Sequence, residues 1–150
     1  RNSIAASLLG LGHVAQETED GARAATLVAE SLTLAAQSGY WPQVMHGLEA
    51  LVTLALALAR PHHPPGPEPG LTRPARLLSA ADALRRRMGT PRAPVEEPAH
   101  QRRLALLRER LGPDAFAAAW AAGQALTPEA AVAYALEADS PYDTGAGREP

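Results

Sequence analysis

Histidines, aromatic residues and arginines are the side chains from which this chain could build chemistry, since it contains neither cysteine nor lysine. His62 and His63, followed by Glu68, are of types that suit zinc or nickel. They lie in a run from 61 to 70 that holds five prolines, where proline blocks both helix and sheet ladder. Adjacent ligands in such a loop are poorly preorganised, so the expectation is an exposed, mobile loop and no metal. His13, His46 and His100 fall on separate predicted helices with no nucleophile or carboxylate at an interpretable spacing, and are read as packing or surface residues. The absence of cysteine removes disulfide and thiolate chemistry. Without lysine a phosphate loop of the GxxxxGK[ST] form cannot occur. No catalytic residue and no cofactor is assigned, and a non-enzymatic role is expected.

The arginines are unevenly placed. Between 73 and 110 ten of them face Asp82, Glu96, Glu97 and Glu109, although the whole chain carries a net charge of -2. Arg86, Arg102 and Arg103 form a candidate basic docking surface for a neighbouring domain or an acidic partner. Arg85, Arg86 and Arg87 are consecutive and fan through about 200° of a helix, so they cannot make one stripe. Asp82 stands three and four residues before Arg85 and Arg86, which predicts local ion pairs on a solvated face. A net negative chain is not the profile of a nucleic-acid-binding domain, and no direct nucleic-acid contact is expected.

Phe116 and Trp120 are one helical turn apart and could offer an aromatic platform. The alanines around them favour close helix approach instead, so both are read as structural plugs, with Trp120 largely buried. Phe116, Ala119, Trp120 and Gly123 make one stripe.

The elements that hold these residues are helical. Hydrophobic residues make up 46% of the chain, rich in leucine and alanine, and glycine and proline gather between the apolar-periodic runs. The predicted fold class is all-α, with about seven helices in antiparallel pairs. The run 41–60 is the centre: Val44, Met45, Leu48, Leu51, Val52, Leu54, Leu56 and Leu58 cover more than half of its circumference, which requires neighbours on two sides. Gln43, His46, Glu49 and Thr53 fall on the remaining arc and are the candidate interaction face, open to a groove. Further helices are expected over 3–17, 20–38, 72–88 and 95–111, the 72–88 helix with a narrow stripe of Leu77, Ala81, Leu84 and Met88. Pro113 and Thr127-Pro128-Glu129 start two more, the last reaching 138. Gly39, Gly89 and Gly112 stand at stops.

Residues 1–138 are thus read as one helical-repeat domain and 139–150 as a flexible tail. The chain opens on Arg1-Asn2-Ser3 and enters a helical pattern at once, which suggests a fragment of a longer protein. No signal peptide or membrane-spanning run is seen, and a cytoplasmic location with no membrane partner is expected. Leu11-Gly12 followed by the small-residue run from Ala24 partly fits the tetratricopeptide pattern, and equally some other right-handed helical array.

The C-terminal half carries a more specific pattern. Gly112-Pro113, Phe116, Trp120, Gly123, Leu126-Thr127 and Ala131-Val132 stand at spacings that resemble the last tetratricopeptide-like segment of large bacterial ATP-binding regulators of the LuxR type, MalT-like proteins among them. The resemblance runs over about 21–138 and departs from the family at the loop 61–70, where a short Gly-Asp-type turn is usual. It implies a tetratricopeptide-like right-handed superhelix that serves as a protein–protein interaction or effector-sensing domain of a transcriptional regulator. The implied partners are the regulator's nucleotide-binding module, often a helix-turn-helix, and an unidentified protein or small effector. The same repeat attached to a cyclase or kinase output is the alternative.

Overall fold

The computed structural model describes residues 21–58 and 68–137, and among them every regular element is helical. The chain order is α1 (Gly21–Gln37), α2 (Trp41–Leu58), a 3-10 turn (Pro69–Leu71), α3 (Thr72–Met88), α4 (Glu97–Leu111), α5 (Pro113–Gln124) and α6 (Pro128–Glu137). The helix expected over 3–17, His13, the pair His62 and His63, and the tail lie outside the described residues.

Punctuation follows local chemistry. Gly39 and Gly89 take positive φ of 67° and 63°, the left-handed stop that spares a side chain its clash. After α3 the amides of Gly89 and Thr90 donate to the carbonyls of Arg86 and Arg85, closing the helix end. Pro113 occupies the first turn of α5, and Asp114 adds a carboxylate at its positive end. At α6 the Thr127 hydroxyl accepts from the Ala130 amide at 3.1 Å, the expected cap. The α4 start lies two residues later than 95, because residues 94–96 form a turn in which the Glu97 amide donates to the Pro94 carbonyl.

Helix α2 is covered as its apolar width requires, by α1 on one side and α3 on the other. Val44, Leu48 and Val52 are fully enclosed. The hub, however, is α3, which packs on α2, α5 and α6. Instead of a narrow stripe it buries Pro74, Ala75, Leu77, Leu78, Ser79, Ala80, Ala81, Ala83, Leu84 and even Arg85. Alanines at 75, 80 and 83 allow neighbours close approach where bulkier side chains would hold them off. The nearest approach is at Gly123 of α5, where an added Cβ would stand 2.3 Å from the Arg76 carbonyl oxygen and 2.6 Å from Ser79 Cβ. Helix α6 reaches back against α1, α2 and α3.

Candidate functional site

The charged residues converge where α2, α3, the 89–96 connection and α4 meet. Glu49 projects from α2 into this junction with its side chain only 12% exposed. Its Oε1 accepts from Arg85 Nη2 of α3 at 2.6 Å and its Oε2 from Arg92 Nη2 at 3.3 Å, while Arg103 Nη2 of α4 stands 3.8 Å away. Arg92 also donates to Asp82 Oδ1 at 2.8 Å. His100 Nε2, on α4, is 3.7 Å from the other Asp82 oxygen, an ion pair only when the ring is protonated. One carboxylate of α2 therefore holds cations from α3, the connection and α4.

Burial sets the protonation of this junction. Desolvation, aided by the Arg92 charge, holds the His100 imidazole below its ordinary range, with Asp82 acting the other way. Desolvation likewise lowers Arg103. Burial opposes the charge of Arg92 too, but hydrogen bonding and attraction from Asp82 and Glu49 outweigh it and raise its pKa. Arg85, Arg92 and Arg103 face Glu49 and Asp82, with Glu96 also attracting Arg103 and Glu97 acting on the His100 ring. The Nε atoms of all three arginines and Nδ1 of His100 are buried without a hydrogen-bond partner.

These placements revise the expectations from sequence. Asp82 pairs with Arg92 and faces His100 rather than bonding Arg85 or Arg86, because Arg85 turns inward to Glu49. Glu49 does not share an open arc with its three neighbours, since the three arginines draw it inside. Of the others, His46 is exposed and Gln43 and Thr53 are half-buried, with the Thr53 hydroxyl donating to the Glu49 carbonyl. Arg86, Arg102 and Arg103 are distributed differently from one another. Arg86 is exposed and bonded to Gln124 Oε1, Arg102 is exposed, and Arg103 points to Glu49. Glu68 is buried against Arg110, at the end of the loop expected to be exposed. Among the described residues no group of three or more histidines and carboxylates is placed to hold a metal.

Phe116 is buried as expected, but Trp120 is only half-buried. The two rings stack with centroids 5.5 Å apart, and the Arg108 guanidinium lies over the Phe116 ring, 5.0 Å from its centroid. The tryptophan thus roofs the core rather than filling it. Beneath it a polar joint escaped the sequence reading. The Ser79 hydroxyl, fully buried, donates to the Trp120 carbonyl at 2.6 Å and accepts from Gln124 Nε2 at 2.9 Å. Gln124 Nε2 also donates to the Ser79 carbonyl. The sequence signal was Gly123 beside Gln124, a residue without a side chain next to one able to bond across the gap it leaves.

No family model, curated protein or solved structure matches the chain. None of the described helices is long and apolar enough to cross a membrane.

Proposed function

We propose that this chain is a non-enzymatic helical-repeat scaffold of a bacterial transcriptional regulator, which relays the binding of a protein or small effector to neighbouring domains. The observation that carries the proposal is the Glu49 junction: a single carboxylate on α2 ties together Arg85 on α3, Arg92 in the connection and Arg103 on α4. Ionisable groups at such a junction make helix positions interdependent, so a shift at α4 is felt at α2. The α1–α2 pair, folded back through a turn at 38–40, has the short connection of a tetratricopeptide-like unit, and we extend it to a right-handed superhelix. The Phe116, Trp120 and Gly123 stripe, with Thr127-Pro128 after it, supports the LuxR-type, MalT-like assignment. Partners in this proposal are a nucleotide-binding module and a helix-turn-helix of the same protein, in the cytoplasm.

The test begins with the encoding gene, where a nucleotide-binding module and a helix-turn-helix are expected beside this array, and a cyclase or kinase domain in their place contradicts the assignment. It continues with a reporter for the intact regulator's own promoter. His46→Ala and Gln43→Ala should change reporter output without lowering the melting temperature. Unchanged output from both variants removes the face that they mark.

A further inference from the structure

A cleft of about 410 Å³ opens beside the junction, at the end of α3 and the start of the connection to α4. Its walls hold Arg85, Arg86 and Arg92 against one carboxylate, Asp82, and Thr90 offers a hydroxyl at the rim. Asp82 is already engaged by Arg92 at 2.8 Å, so its charge is answered inside the wall. Taking in the residues behind, Arg85, Arg86, Arg92 and Arg103 stand against Asp82, Glu49 and Glu96, the last acting on Arg103. Four guanidinium groups against these three carboxylates leave one positive charge in excess.

Two of those cations are enclosed. The side chains of Arg85 and Arg92 are each 8% exposed, and each keeps an Nε–H that finds no acceptor. Their charges are met by Glu49 and Asp82, but buried donors are normally satisfied and these two N–H groups are not. The far end of a helix would ordinarily repel an anion. Here two of the last four carbonyls, those of Arg85 and Arg86, are taken by the amides of Thr90 and Gly89.

We infer that this cleft binds a phosphate dianion, carried on a small metabolite or free, through Arg86, Arg92 and the Thr90 hydroxyl. The cleft's own lining carries three guanidinium groups against one carboxylate, and guanidinium forks fit phosphate oxygens in pairs. The volume lies in the range of small-molecule pockets and leaves room for an organic body attached to the phosphate. The site stands apart from the regulatory proposal, since it depends on this junction and not on which domains flank the array.

The experiment is isothermal titration of the whole chain with inorganic phosphate, ribose 5-phosphate and ribose, at fixed ionic strength set with sodium chloride. Saturable binding of inorganic phosphate is expected, with none of ribose. Tighter binding of ribose 5-phosphate than of inorganic phosphate would identify a phosphorylated metabolite, and equal binding would identify free phosphate. Arg86→Gln removes an exposed side chain whose one bond is to Gln124 and should fold normally. It is expected to weaken phosphate binding about tenfold or more, the worth of a charge-assisted hydrogen bond. Thr90→Val should weaken it less. Absence of binding by both phosphates, or full affinity in Arg86→Gln with an unchanged melting temperature, overturns the site.

Discussion

Replacing Gly123 with alanine sets two known effects against each other at one position. Alanine is the better helix former by about 1 kcal/mol, which alone would stabilise α5. Against that, the new methyl would sit 2.3 Å from the Arg76 carbonyl oxygen and 2.6 Å from Ser79 Cβ, and neither atom can swing away because both are fixed to the backbone of α3. The two helices must separate. Forced separation of a packed pair costs about 1–3 kcal/mol, occasionally more. It also stretches the bonds from Ser79 to the Trp120 carbonyl and from Gln124 to Ser79, each worth roughly 1 kcal/mol. The net expectation is a loss of about 2 kcal/mol, or a fall in melting temperature of about 4–8 °C. Gly47→Ala is the control, since it gains the same propensity but meets only the side chain of Leu32, at 2.7 Å. Leu32 is fully buried and must adjust within the core, but only a side chain and no backbone has to move, so the loss should be smaller than at Gly123. Urea denaturation of both variants measures the difference. A Gly123→Ala protein as stable as the parent, or less perturbed than Gly47→Ala, refutes the close α3–α5 contact.

Phe116→Ala is expected to cost about 3 kcal/mol or more, whereas Trp120→Ala should cost less despite the larger ring, since part of that side chain already faces solvent; thermal melts of the two variants give the order. Stability should depend on pH through His100, whose folded pKa is depressed below the ordinary value of about 6.5. Its contribution is complete above that value and is lost as pH falls through the lower folded pKa, because the unfolded chain binds the proton first. His100→Gln should flatten this acid limb in melts recorded across pH 4–8, conditions chosen around the imidazole range; an unaltered limb removes His100 as its source. Glu49→Gln leaves three guanidinium groups facing a neutral amide and is expected to destabilise by about 3 kcal/mol.

Much of the helical order was legible because it is written locally. Glycines at 39 and 89, proline at 113 and the Thr127 cap fix their turns through chemistry confined to a few residues. The width of the apolar face on α2 told correctly that it needed two neighbours. The importance of α3 did not show, because its burial rests on alanines and on Ser79, which a search for large apolar side chains passes over. The charged junction was hidden for a different reason. Nearest-neighbour spacing pairs Asp82 with Arg85 or Arg86, and only the tertiary approach of α2 offers Arg85 a carboxylate 36 residues away. Glu49 likewise reads as one of four polar residues on an arc until the arginines of two other segments converge on it. Trp120 was misplaced because stripe membership gives direction but not depth.

The claim that Glu49 mechanically joins α2 to α3 and α4 is tested most directly by amide hydrogen exchange on Glu49→Gln under native conditions. Loss of protection concentrated in α4, from Glu97 to Leu111, with α5 and its contact to α3 retaining theirs, is the expected outcome. Protection in α4 equal to that of the parent protein would contradict it, and with it the relay on which the proposed scaffold function rests.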